Sequence, residues 1–172
     1  MGEWRNRIVG QGEKPASEFK PHPENWRTHP EMQKLALKGA LDEVGWVQNV
    51  IVSSRTGNLI DGHERVHQAL ENGDAAVPYV EVDLSEKEER YVLATLDPIS
   101  ALAAADEIEL DSLLKQVQTG EAAVQALLSD LAEREGVIPP NLQNVEFPEY
   151  TEREAAKVKY NECPECGHRW PK

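Results

Sequence analysis

The sequence predicts an α+β protein: a small sheet with helices, followed by a C-terminal helical extension. Three observations carry that expectation. Asn49-Val50-Ile51-Val52, Arg55-Thr56-Gly57-Asn58 and Leu59-Ile60 read as strand, turn and returning strand, because short β-branched runs are bounded by turn formers. Val77-Pro78-Tyr79-Val80-Glu81-Val82 reads as a further strand, with its proline near the start, where a missing N–H is tolerated. Beyond Pro98 the composition turns rich in alanine and leucine, both strong helix formers.

Residues 1–17 are expected to be a polar leader. Pro21 to Pro30 reads as an extended, proline-punctuated segment, and Pro30 suits a first helical position, where its missing N–H would have no partner anyway. A helix should follow, with Leu37, Leu41 and Val44 at i, i+4 and i+7 and Gly45 as its stop. Asp61 to Arg65 comes directly after the returning strand, and Val66, Ala69 and Leu70 keep helical spacing until Asn72-Gly73, which makes the segment a strand-loop-helix junction. Ser85 with Glu88 three residues on forms a capping-box pattern for another helix, expected to end near Leu96, where Asp97-Pro98 breaks it. Leu110 to Thr119 and Glu121 to Glu135, each followed by a glycine, read as a helical hairpin. The expected organisation is thus a leader over 1–17, a domain over 18–100, a helical extension over 101–136, a linker over 137–160 and a tail over 161–172.

A chain of 172 residues accommodates one core domain of ordinary size with an appendage, so one active domain is expected. The first residues lack the apolar middle of a signal peptide, and no stretch approaches the roughly 20 apolar residues of a membrane span, which predicts a cytoplasmic protein with no membrane partner. The net charge of −13 argues against holding nucleic acid by bulk phosphate neutralisation. That charge is uneven: residues 1–40 carry +2 and residues 41–172 carry −15. Contact with DNA or a nucleotide is therefore expected through the N-terminal third and the region of Arg65.

The chemistry-bearing residues concentrate at the junction. A loop entering a helix presents unpaired backbone N–H groups and the positive end of the helix dipole, both of which favour an anion. Gly62 permits close backbone approach, and Arg65 on the first helical turn is placed for a bidentate contact to phosphate. Asp61 and Glu64 are the candidates for holding Mg²⁺ or acting as general base. His63 and His67 lie four apart, on one helical face. By spacing alone a turn and a solvated charged face account for all of these equally well. Trp26 and Trp46 read as packing residues. At the C-terminus, Cys163-Pro164-Glu165-Cys166-Gly167-His168 is half of a zinc knuckle. Two thiolates on a tight turn with His168 as a third ligand would need a fourth from a second chain or from His22 or His29, because structural zinc is four-coordinate.

The order of several short segments carries a resemblance. Asn25-Trp26-Arg27, a helix, Gly45-Trp46-Val47-Gln48-Asn49-Val50-Ile51-Val52, Ile60-Asp61-Gly62-His63-Glu64-Arg65 and Val77-Pro78-Tyr79-Val80 together resemble the N-terminal domain of ParB-family proteins, over about residues 18–100. They are similar in particular to the ParB-like (nuclease) domains associated with phage and mobile-element DNA methyltransferases. The resemblance implies a ParB/sulfiredoxin-like small mixed sheet. It also implies a pocket for a nucleoside triphosphate, CTP or ATP with Mg²⁺, lined by Gly62, His63, Arg65, Gln48, Asn25 and Arg27. In the same reading Glu64 and Asp61 would place a metal or water. The implied partners are the nucleotide and DNA or a separately encoded DNA-modifying enzyme, in a bacterial or phage-infected cell, and a homodimer is compatible with it. Two departures matter: Val66 stands where the segregation proteins carry a second arginine, and Thr95-Leu96-Asp97-Pro98 replaces their later phosphate motif. His63 stands where sulfiredoxin has its catalytic cysteine, which argues against that activity. Asp61-Gly62-His63-Glu64-Arg65 also resembles the loop of a free-serine kinase of this fold, so an NTP-dependent kinase or hydrolase, a nuclease and a non-catalytic interaction module are the alternative expectations.

Overall fold

The computed structural model describes residues 3–137, 160–162, 166 and 168–171. Strands β1 (Ile8–Pro15), β2 (Val50–Ser53), β3 (Leu59–Asp61) and β4 (Ala76–Val82) make one sheet in the order β1-β4-β2-β3. β2 and β3 form the expected hairpin, while β4 runs antiparallel to β1 and parallel to β2, so the sheet is mixed. Parallel neighbours need a crossover connection. Of the first two helices, α1 (Glu31–Val44) and α2 (His63–Glu71), the second lies within that crossover.

One apolar cluster ties sheet and helix together. Val50 and Val52 from β2, Leu59 from β3, Val77 from β4, and Val66 and Ala69 from α2 close on Ala16 and Phe19 at the short 3-10 turn, with Trp46 packed against them. Burying each of the larger side chains contributes about 1.5 to 3 kcal/mol relative to leaving it in water. Trp26, in contrast to Trp46, is 60% exposed; its indole N–H donates to the Leu93 carbonyl at 3.1 Å.

Three expectations are corrected. The polar leader contains β1, which extends the sheet to residue 8 and is held by main-chain pairing to β4. Its stretch Ile8 to Pro15 holds too few apolar residues for a period-2 signal, and Ile8 and Val9 are themselves exposed. Second, α3 (Glu86–Ser100) keeps its capping box at Ser85 and Glu88 but runs through Pro98. Pro98 withdraws one main-chain donor from the helix, and beyond it the Ala101 N–H still reaches the Asp97 carbonyl at 2.8 Å. Third, α4 (Glu107–Leu114) starts and ends earlier than expected. Asp106 caps it, its Oδ1 accepting from the N–H groups of Ile108 and Glu109, and Gly120 plays no part in ending it.

The second half of the helical hairpin, α5 (Ala122–Arg134), packs on α1. Gly39 makes the close approach possible: a Cβ there would lie 3.0 Å from Glu121 Cβ. Thr119 Oγ1 also donates to Glu43 Oε2 at 2.6 Å. The chain divides into two units, residues 1–140 and 141–172. In the second, β5 (Tyr160–Glu162) pairs antiparallel with β6 (Arg169–Pro171). The expected linker falls almost wholly outside the described residues. Among those described, no helix is long and apolar enough to cross a membrane.

Candidate functional site

The site begins with a glycine. Gly62, between β3 and α2, sits at φ 92°, ψ 23° in the left-handed region, and a Cβ there would meet Val50 Cγ1 at 2.5 Å. Backbone conformation and space both demand glycine. The tight turn sets Asp61 at the end of β3 opposite Arg65 on the first turn of α2, and Arg65 Nη2 donates to Asp61 Oδ2 at 2.5 Å. Arg27 arrives from the extended segment before α1: its Nη1 lies 3.7 Å from Asp61 Oδ1 and 2.6 Å from Asp97 Oδ2 on α3.

These groups border a cleft of about 280 Å³. Asn25, Arg27, Gln48, Asp61, Gly62, His63, Glu64 and Arg65, distant in sequence, all line it. His29, Gln33, Leu37 and Asp97 complete the lining. Asp97 read in the sequence only as a helix breaker; its partner on a segment 70 residues away is a fact of the fold and left no local signal.

The cleft carries two guanidinium groups, Arg27 and Arg65, against three carboxylates, Asp61, Glu64 and Asp97. The side chains of Arg27, Arg65 and Asp61 are 16%, 14% and 12% exposed, so their interactions are only partly screened by water. His63 Nε2 accepts from the His22 N–H at 3.2 Å, which places the ring proton on Nδ1. Burial pushes the His63 pKa below its ordinary 6.5; Asp61 opposes this, while His22, Arg27 and His29 reinforce it. Glu64 is 9% exposed and its Oε1 accepts from Gln68 Nε2 at 2.8 Å. With Glu64 engaged along its own helix and both Asp61 oxygens facing guanidinium groups, the donor set does not fit a Mg²⁺ ion held by the protein. Among the described residues no group of three or more His, Cys, Asp or Glu is placed to hold a metal. His67, four residues from His63, is half-exposed and lines a separate groove beside Glu31, Lys34 and Lys38 of α1.

A second polar cluster escaped the sequence reading. Glu89 on α3 is 1% exposed; its Oε1 accepts from Thr56 Oγ1 at 2.9 Å and its Oε2 lies 3.3 Å from His22 Nε2. Burial works against its charge, but hydrogen bonds from Ser53, Thr56 and His22 outweigh it and hold the carboxyl below its usual range. In the tail, Cys163 lies outside the described residues, while Cys166 and His168 are exposed.

No protein-family model matches the chain, and no curated protein does. The solved structures similar to it include the following three. A C-terminally truncated chromosome-partitioning protein ParB from Caulobacter crescentus, complexed with CTP-gamma-S, is 18% identical with a TM-score of 0.48, the match covering 73% of this chain and 83% of that one. The C2221 form of a Pnob8-like ParB-N domain is 14% identical at 0.44, covering 97% of this chain and 59% of its own. The pNOB8-like ParB N-domain is 15% identical at 0.41, covering 99% and 56%. This chain thus spans under two thirds of the latter two. With every score below 0.5, the fold description rests on the strand order and connections given above.

Proposed function

We propose that the cleft at the N-terminus of α2 binds the phosphates of a nucleoside triphosphate, CTP or ATP, in a ParB-like module that works on or beside DNA. The observation that carries this reading is the convergence of Arg27 and Arg65 on the mouth of a helix that starts at a bare glycine. Two guanidinium forks supply bidentate, charge-assisted contacts, and the first amides of α2 add donors that no capping side chain occupies. Asn25 and Gln48 offer neutral polar groups at the rim for the ribose or base. Any Mg²⁺ would be brought by the nucleotide, since the carboxylates are engaged.

The engagement of Glu64 with Gln68 favours a binding role over one as general base in a kinase, hydrolase or nuclease. The sequence resemblance extends the proposal to an accessory part in phage or mobile-element DNA modification within a bacterial cytoplasm. The direct test is thermal stabilisation by CTP, ATP and GTP, each with and without Mg²⁺, because a ligand that binds only the native state raises its stability. A shift with one nucleotide that is lost in Arg65→Ala supports the reading; no shift with any of them overturns it. For the tail, the β5–β6 pairing brackets Cys166, and we propose Cys163, Cys166 and His168 as zinc ligands. Metal analysis of the purified protein against Cys166→Ser tests this, and equal zinc in both would end it.

A further inference from the structure

We propose that Asp97 is a built-in competitor for the cleft's ligand: its carboxylate occupies Arg27, and the ligand's acidic group must replace it there. This deepens the phosphate-binding reading and rests on it.

The argument starts from charge. Arg27 and Arg65 are the cleft's cations, and each already faces a carboxylate, Asp61 against Arg65 at 2.5 Å and Asp97 against Arg27 at 2.6 Å. An incoming polyanion therefore meets a neutralised pair of arginines and has to displace one carboxylate to gain full use of them. The two aspartates are not equal. Asp61 is fixed at the end of β3, 12% exposed and shared between both guanidinium groups. Asp97 is 53% exposed and comes from the last turns of α3, where Pro98 withdraws a main-chain donor and residues 96–100 are all exposed. The exposed partner is the one that yields, because water recovers its charge at little cost while Asp61 would lose buried contacts.

The position of Asp97 also marks where the ligand's anion sits. Its Oδ2 lies at hydrogen-bond distance from the guanidinium Nη1 that borders the cleft, so a phosphate oxygen taking that place would reach Arg27 without moving the Asn25 to Arg27 segment. That segment is independently anchored to α3 by the Trp26 indole on the Leu93 carbonyl and by Glu24, which accepts from Arg90 at 2.8 Å. Removing the Asp97 charge therefore frees Arg27 while leaving it in place.

The experiment compares wild type, Asp97→Asn and Glu107→Gln for binding of CTP and of inorganic triphosphate. Glu107→Gln removes an exposed acid outside the cleft and controls for the general loss of one negative charge. Asp97→Asn is expected to bind both probes roughly threefold to tenfold more tightly, in keeping with release of a half-exposed ion pair. Glu107→Gln should match wild type. A ligand-free measurement runs beside it: modification of Arg27 by phenylglyoxal, followed by mass spectrometry, should be faster in Asp97→Asn. Wild-type binding that Asp97→Asn leaves equal or weakens overturns the competitor and spares the phosphate-binding reading. Absence of binding in every variant overturns that reading and the competitor with it, and the phenylglyoxal rates then report only whether Asp97 masks Arg27.

Discussion

Asp61 and Glu89 are both buried carboxylates, and they are satisfied in opposite ways. Asp61 faces two guanidinium groups at the edge of an open cleft. Glu89, 1% exposed, is held by Thr56, Ser53 and His22, donors that include no guanidinium or ammonium group. A buried charge satisfied by several dipoles is a closed arrangement whose value lies in the fold, because removing any member leaves a group unpaired in a dry interior. A carboxylate shared by two guanidinium groups beside open space instead holds those fixed cations where an incoming anion can reach them. The comparison assigns structure to Glu89 and binding to Asp61, and each assignment can be broken.

The largest effect should come from Gly62, on which the Asp61 side depends. Gly62→Ala forces a Cβ to within 2.5 Å of Val50 Cγ1 at a φ of 92°. Overpacking and left-handed strain together should cost about 3 to 5 kcal/mol, read by urea denaturation. A loss under about 1 kcal/mol would mean that the turn is not fixed as described. Next is Glu89→Ala, which strands the Thr56 and Ser53 hydroxyls and the His22 imidazole and should cost about 2 to 3 kcal/mol. Its nucleotide affinity, measured well below the transition, should stay near that of wild type. Arg65→Ala should do the reverse. Stability should fall by no more than about 1 kcal/mol, since Arg27 still faces Asp61, while affinity for CTP should drop at least roughly tenfold with loss of a charge-assisted contact. If Arg65→Ala unfolds the protein, or Glu89→Ala abolishes binding, the division between the two carboxylates fails.

The sequence carried the Asp61 side and concealed the Glu89 side, for a physical reason. Gly62 and Arg65 belong to one strand-loop-helix junction, where local rules about turns, caps and helix dipoles apply within five residues. Asn25, Arg27 and Gln48 were legible only through the order of segments that resembles ParB domains. His22, the hairpin residues Ser53 and Thr56, and Glu89 come from three segments that meet only in the folded chain, and each alone reads as an ordinary polar residue of a turn or a solvated helix. β1 was missed on the same principle. Its pairing with β4 is made by main chain, which leaves almost no mark on side-chain pattern. Pro98 misled in the other direction: it lies inside α3, two residues before the helix end, so the local rule that a helix stops before a proline placed that end too early.

The smallest expected effect is also the one that joins the two clusters. His63 lines the cleft, and its Nε2 accepts from the main-chain N–H of His22, the residue that holds Glu89. Its folded pKa is lowered from 6.5, so the unfolded chain takes up its proton first as pH falls. The stability tied to neutral His63 is fully present above pH 6.5 and declines as pH falls toward the folded value. Glu89, lowered from 4.5, contributes stability that is present above that pH and lost only further down. Stability followed from pH 8 to pH 3 should therefore fall in two stages, the first removed by His63→Asn and the second reduced by Glu89→Gln, with Asp83 and Glu88, whose carboxyls are also held below their usual range, supplying the rest. A protonated His63 can no longer accept from His22, so an NMR titration of the His63 ring should move the His22 amide in step with it. A His22 amide indifferent to that titration would separate the clusters, and the two carboxylates would then be independent devices on one helix-and-sheet frame.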